Sequence, residues 1–282
     1  MQLGSPLRAP LRSPLCTAAS ATMCSDFDMK TLATAGLAFR RTRFALRHEN
    51  TTLAVGCTST CESENCVTFA FDDGPPLRLS LGGYQDCGTG GQLWDASVVL
   101  ALFLRAHADL VRDKSVVELG AGCGLPGIDV ARRGVARSVT LTDVMLALAE
   151  ANAQQNGADV RVARYDWGDA QDFVCDVLLG ADVCYSPLHA DLLARVVRDA
   201  EMARQRRDAG TQAPIAVFAS LANRSDFGTL VEKLKDKFEV REHAITLLCH
   251  DADDERDAAG LGVAPTAPLE VAFRVVVVRA RT

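Results

Sequence analysis

The chain has 282 residues, of which 48% are hydrophobic and 23% charged, a balance that excludes a fibrous or wholly disordered protein. Its 36 acidic residues outnumber 30 basic ones, and the net charge of −6 argues against nucleic acid as the main partner while favouring a lysine- or arginine-rich protein segment. No apolar run is long enough to span a membrane, no stretch near the start reads as a secretory core, and ten cysteines scattered from Cys16 to Cys249 fit free thiols in a reducing compartment.

Residues 1–25 carry Arg8 and Arg12, three prolines and no acid before Asp26. That composition is shared by organelle transit peptides and by a plain tail. Residues 1–40 are therefore set outside the fold. A cytoplasmic chain is expected, with mitochondrion or plastid as the alternative if 1–25 is a targeting segment. Residues 41–93 read as a β-rich extension, with strand-like runs at 43–47, 52–55, 67–71 and 77–81 between Gly-, Asp- and Pro-bearing turns. Residues 94–282 form the principal domain. A helix over 94–104, with Leu93, Val98, Val99, Leu102 and Phe103 at helical spacing, precedes a strand at 115–119.

Strand and helix then alternate: helix from Pro126, strand 139–142, helix from Met145, strands 160–163 and 174–180, helix 188–204, strand 214–221, helix 226–237. Such alternation requires a mainly parallel sheet with helices on both faces, a doubly wound, Rossmann-like α/β fold. The closing strands, 240–248 and 271–279, are consecutive and predict an antiparallel pair. The acidic, then Gly/Ala/Pro-rich stretch 250–268 between them predicts a loop.

The chemistry gathers at strand ends. Val116-Val-Glu-Leu-Gly-Ala-Gly-Cys-Gly-Leu-Pro-Gly-Ile128 is a strand, a glycine-rich turn and the opening of a helix. Gly120, Gly122 and Gly124 let backbone approach a ligand where side chains would block it. The overlapping Gly122, Gly124 and Gly127 also satisfy the dinucleotide fingerprint, with Asp143 near the distance of its ribose-binding acid. Glu118, two residues before the first glycine, instead gives E-x-G-x-G-x-G, a pattern of S-adenosylmethionine sites. Asp143 ends its strand with two oxygens able to accept from both ribose hydroxyls, as either cofactor requires. Asp166 and Trp167 follow the next strand. They could meet an adenine amino group and ring face, or form a turn with one packed tryptophan. Asp182 and Tyr185 follow the strand at 174–180 with the spacing D-x-x-Y.

Taken in order, Leu93-Trp-Asp-Ala96, the Glu118 glycine loop, Leu141-Thr-Asp143, Asp166-Trp-Gly168 and Gly180-Ala-Asp-Val-Cys-Tyr185 resemble the family 16 seven-β-strand protein-lysine methyltransferases. The resemblance covers about residues 40–280. It implies a seven-stranded class I methyltransferase sheet, S-adenosyl-L-methionine as cofactor, and a protein substrate such as a chaperone or elongation factor. It also implies that Glu118, Gly120, Gly122 and Gly124 face the methionine end, Asp143 the ribose, Trp167 the adenine region, and Gly91 and Trp94 the wall beside the methionine, with Asp166 and Ala181 as further cofactor-binding candidates. Asp182 and Tyr185 match the substrate-side motif. A free lysine must be neutral to attack a methyl group, so a desolvating pocket with Asp182 orienting the amine suits that acceptor.

Other acceptors remain compatible with these residues: a protein histidine, an amino terminus or a small molecule. A binding module that keeps the fold without catalysis is a further alternative. Cys57, Cys61 and Cys66 have no clear fourth ligand beside them, and no metal is expected. Arg224, after the fifth strand, reads as a solvated surface residue, and His189 as a residue of a helix's first turn. No membrane contact is expected, and the chain is read as a monomer.

Overall fold

The computed structural model describes residues 41–63, 65–170, 174–207, 213–253 and 266–281. The tail or transit reading of 1–40 lies outside the described residues, as does most of the expected 250–268 loop.

Among the described residues, eleven strands form one sheet. They are β1 (Arg41–His48), β2 (Thr51–Ser63), β3 (Cys66–Phe71), β4 (Leu77–Ser80), β5 (Ser115–Leu119), β6 (Ser138–Asp143), β7 (Arg161–Arg164), β8 (Val177–Ala181), β9 (Ile215–Leu221), β10 (Phe238–Asp251) and β11 (Leu269–Ala280). Five helices accompany them: α1 (Asp95–Ala106), α2 (Leu125–Arg132), α3 (Ala147–Gln155), α4 (Pro187–Arg207) and α5 (Ser225–Lys235). A single helical turn, Tyr84–Cys87, and a tighter turn, Gly88–Gly91, precede α1.

The sheet order is β4-β3-β2-β1-β10-β11-β9-β8-β5-β6-β7. Strands β5 to β9 are parallel, and β11 enters antiparallel between β9 and β10. The strands β5–β11 are the expected seven-stranded Rossmann-like sheet, with the predicted antiparallel closing pair. The strands of residues 41–80 continue it, because β1 pairs along β10 from Thr42 opposite Asp251 to His48 opposite Ile245.

Alternate residues of the strands face opposite layers. Val116, Leu141, Val177, Leu179, Val217 and Val275 meet α1, α2 and α3, while Val117, Leu178, Phe218 and Val276 meet α4 and α5. The α1 sequence is apolar on all sides, and nearly every residue from Asp95 to Leu104 is buried. Such a helix needs cover all round. It gets it from α2, from β1 and β2, and from β8, β9 and β11. Arg105, its side chain only 3% exposed, stands over the Phe71 ring at 3.8 Å and ion-pairs with Asp73 and the equally buried Asp129 of α2. That network ties the β3–β4 turn to both inner helices.

Candidate active site

The strand order reverses between β5 and β8, and a crevice opens beyond the carboxyl ends of strands at such a point. Every motif singled out in the sequence, except the 91–94 segment, comes from the end of β5, β6, β7 or β8.

The glycine turn after β5 is held from three sides. Gly120, at φ 58°, passes so near Val183 and the Trp167 ring that a Cβ would lie 3.0 Å and 3.2 Å from their carbons. Gly122, at φ 52°, faces Gly90, and a Cβ would come within 2.8 Å of its carbonyl oxygen. The segment 88–91 therefore lies directly on the loop, and Gly91 itself is buried there. Trp94 is half-buried, and its Nε1 donates to the Thr89 carbonyl at 2.9 Å, fixing that segment before α1 begins. Gly124, at φ 80°, caps α2, and Pro126 stands in its first turn.

Glu118 is 2% exposed and accepts the Gly127 N–H at 2.8 Å, so its carboxyl braces the first turn of α2. Burial pushes its pKa up to about 8, against the opposing pull of that hydrogen bond. Asp143 accepts the Gly122 N–H at 2.9 Å through one oxygen and the Met145 N–H at 3.0 Å through the other. A carboxylate has about four acceptor positions, so each oxygen retains capacity. Beside it Val144 and Met145 are 52% and 47% exposed, an apolar shelf at the crevice. Trp167 is partly buried against Gly120, whereas Asp166 is exposed and accepts the Gly168 N–H at 3.3 Å.

Asp182 follows β8 in a left-handed conformation, φ 53°, that non-glycine residues rarely take. Its N–H extends the β8–β9 pairing to the Ala219 carbonyl at 2.8 Å. The carboxylate is buried; Oδ1 accepts from Ser220 Oγ and Oδ2 from Arg224 Nη2, both at 3.0 Å. Arg224 is not the solvated residue its sequence suggested. Its side chain is 13% exposed, because β9 ends beside β8 and brings it onto Asp182. Tyr185 is 42% exposed and packs edge-on to His189, ring centres 4.2 Å apart, and His189 in turn meets Trp167 at 5.4 Å. His189 does lie in the first turn of α4. Burial lowers its pKa, which favours the neutral ring.

Two further residues escaped the sequence reading. Asp95, the first residue of α1, is 7% exposed, and burial together with the charge of Asp182 raises its pKa to about 7. Asn152 of α3, fully buried, donates to the Cys123 carbonyl at 2.9 Å and so holds the glycine loop from behind. Both could be sought in sequence, Asp95 as the neighbour of Trp94 and Asn152 as a polar residue on the inward stripe of its helix. Cys57, Cys61 and Cys66 lie on β2 and β3, and among the described residues no group of three or more His, Cys, Asp or Glu could hold a metal ion.

The site thus lies at the switch point of a Rossmann-like sheet, with a glycine turn opening α2, Asp143 ending β6 and Asp182 following β8. Residues 73–206 match the family model described as lysine methyltransferase, so the resemblance carried by the motifs holds over that segment. Protein N-lysine methyltransferase METTL21A of Danio rerio is 36% identical over 118 residues, 39% of this chain and 54% of that protein. EEF1A lysine methyltransferase 3 of Mus musculus is 36% identical over 120 residues, 40% of this chain and 51% of that protein. Histone-arginine methyltransferase METTL23 of Xenopus laevis is 29% identical over 135 residues, 45% of this chain and 58% of that protein. The chain spans about half the length of the curated relatives it matches.

Proposed function

We propose that this chain is an S-adenosylmethionine-dependent methyltransferase whose acceptor is a lysine side chain of a protein. The observation that carries the reading is Asp182. A buried carboxylate in a left-handed backbone, clamped by Ser220 and Arg224 at the sheet's switch point, is a group held in place at a cost to the backbone, and such strain gathers at functional sites. The family match over 73–206 and the names of the lysine-methylating relatives support the same acceptor.

When bound, S-adenosylmethionine supplies a methyl group on a sulfonium, which a neutral amine displaces in line. The remaining work falls to the chain. Asp143 has acceptor capacity for the ribose hydroxyls; Val144, Met145 and Trp167 offer apolar surface to the adenine, with Ala181 at its side and Asp166 as acceptor for its amino group. Gly120, Gly122 and Gly124, braced through Glu118, leave room for the methionine end, with Gly91 and Trp94 as its wall. Asp182 orients the acceptor nitrogen, and Tyr185 forms an aromatic side of its channel. The substrate is a chaperone, elongation factor or similar protein, met by a monomeric enzyme in the cytoplasm, without nucleic acid or membrane.

The test is transfer of tritium from methyl-labelled S-adenosylmethionine to proteins of a hypomethylated lysate, followed by hydrolysis and amino-acid analysis. Label in ε-N-methyllysine, falling by roughly 10²-fold or more in Asp182→Ala with cofactor affinity kept, is the expected result. An undiminished Asp182→Ala would remove the substrate-side role. Label in methylarginine would move the acceptor to the residue named for METTL23.

A further inference from the structure

The acceptor channel and the adenine wall stand beyond strands that are not neighbours: β5 and β6 separate β8, which leads to Tyr185, from β7, which leads to Trp167. Methyl transfer needs the two sides in register, because the acceptor nitrogen must meet the methyl group in line. One side chain touches both. The His189 ring meets Tyr185 with ring centres 4.2 Å apart and planes at 77°, and Trp167 at 5.4 Å and 86°. Both contacts are edge-on, an arrangement that ring quadrupoles favour.

The local sequence fixes that imidazole. Ser186 caps α4, accepting the His189 N–H on its hydroxyl at 3.3 Å and on its carbonyl at 3.1 Å, and Pro187 stands first in the helix. His189 is thereby locked in the first turn, with Tyr185 just ahead of the cap. Trp167 is tied to the same helix a second time, since Arg195, further along α4, donates through Nη2 to the Trp167 and Gly168 carbonyls, each at 2.8 Å. On its other side the indole lies against Gly120 of the glycine turn. The Nδ1 of His189 is buried without a hydrogen-bond partner among the described residues. A buried nitrogen left unpaired costs stability, so the ring is held here by its two aromatic contacts at the expense of a hydrogen bond.

We propose that His189 is a positioning residue that holds Tyr185 and Trp167, and through them the acceptor and the methyl donor, in register. The inference rests on the reading of the chain as an S-adenosylmethionine-dependent lysine methyltransferase. His189 makes no bond in the reaction. From one turn of helix it sets two rings that serve different substrates, so its loss weakens the use of both.

The experiment compares the full-length wild type with His189→Ala, which removes the ring, and His189→Phe, which keeps one. It follows ε-N-methyllysine formation in the same hypomethylated lysate and calorimetric affinity for S-adenosylhomocysteine. His189→Ala should lose roughly three- to tenfold in that affinity, the size of one aromatic contact, and roughly 10- to 10²-fold in rate at saturating cofactor, the size of a displaced acceptor. His189→Phe should recover most of both. In a Tyr185→Ala background His189→Ala should cost less in rate, because the contact it removes is already gone. Equal costs in the two backgrounds, or a His189→Ala variant that is less stable but keeps wild-type affinity and rate per folded molecule, overturn the proposal alone. A wild type that forms no methyllysine overturns it together with the functional reading. Should His189→Ala fold poorly, His189→Leu, which fills the space without a ring, takes its place with the same outcomes.

Discussion

At the scale of single residues, the site is built on carboxyls in unlike environments. Glu118 is buried and braces Gly127, Asp143 spans the glycine loop and the start of the next turn, and Asp182 is clamped by Arg224. Glu118 has the clearest consequence for stability. Its folded pKa, about 8, stands above the ordinary 4.5, so between those values the folded chain keeps a proton that the unfolded chain has lost. Its contribution is therefore full below 4.5 and is lost as pH rises through 8. Glu118→Gln keeps an oxygen for the Gly127 N–H and cannot ionise. Thermal unfolding should show the variant gaining on wild type between about pH 5 and pH 9, with the larger melting temperature at the alkaline end. A constant difference across that range would mean that Glu118 is ionised in the folded chain. The places of Asp143 at the end of β6 and of Asp182 and Tyr185 just after β8 were legible because each lies in a motif at the carboxyl end of a strand. Arg224 was not, since a lone arginine after a strand looks the same whether it meets water or a buried acid.

At the scale of elements, the positions of strands and helices followed from periodicity, and the differences lie at their ends. The helix read from residue 94 begins at Asp95, because Trp94 is extended and serves as its cap. Strands β2 and β10 run well past their apolar cores, β2 to Ser63 and β10 to Asp251, since long antiparallel pairing carries polar residues that periodicity cannot count. Least visible was the treatment of the sheet's edge. Asn152 of α3 and Asn156, the residue that caps it, bond the main chain of Ser80 and Arg78, two residues apart on β4. Their amides satisfy the outer row of β4 as another strand would, which protects an edge from pairing with other chains. Asn152→Ala should strand the Ser80 and Cys123 groups that it serves, at roughly 1–3 kcal/mol for each that stays dry. Urea unfolding should report that loss, and cofactor binding should weaken with it, because Cys123 lies in the glycine loop. A variant as stable as wild type would show that water replaces the side chain freely.

At the scale of the molecule, residues 41–93 read as a β-rich extension ahead of residues 94–282, and the described strands of both form one sheet with one inner core running from Phe44 to Val277. The pairing of β1 with β10 joins residues about two hundred positions apart, and no local pattern announces a partner at that distance. The same wrapping brings the 88–91 turn down on the glycine loop, so the crevice is a product of the whole sheet. The most direct test of its use is calorimetric titration of the full-length chain with S-adenosylmethionine and S-adenosylhomocysteine, with Asp143→Ala as the control. The account predicts that wild type binds both and that the variant loses at least about tenfold in affinity, the equivalent of about 1.4 kcal/mol. Failure of the wild type to bind either, or its binding of a nicotinamide dinucleotide instead, would contradict it.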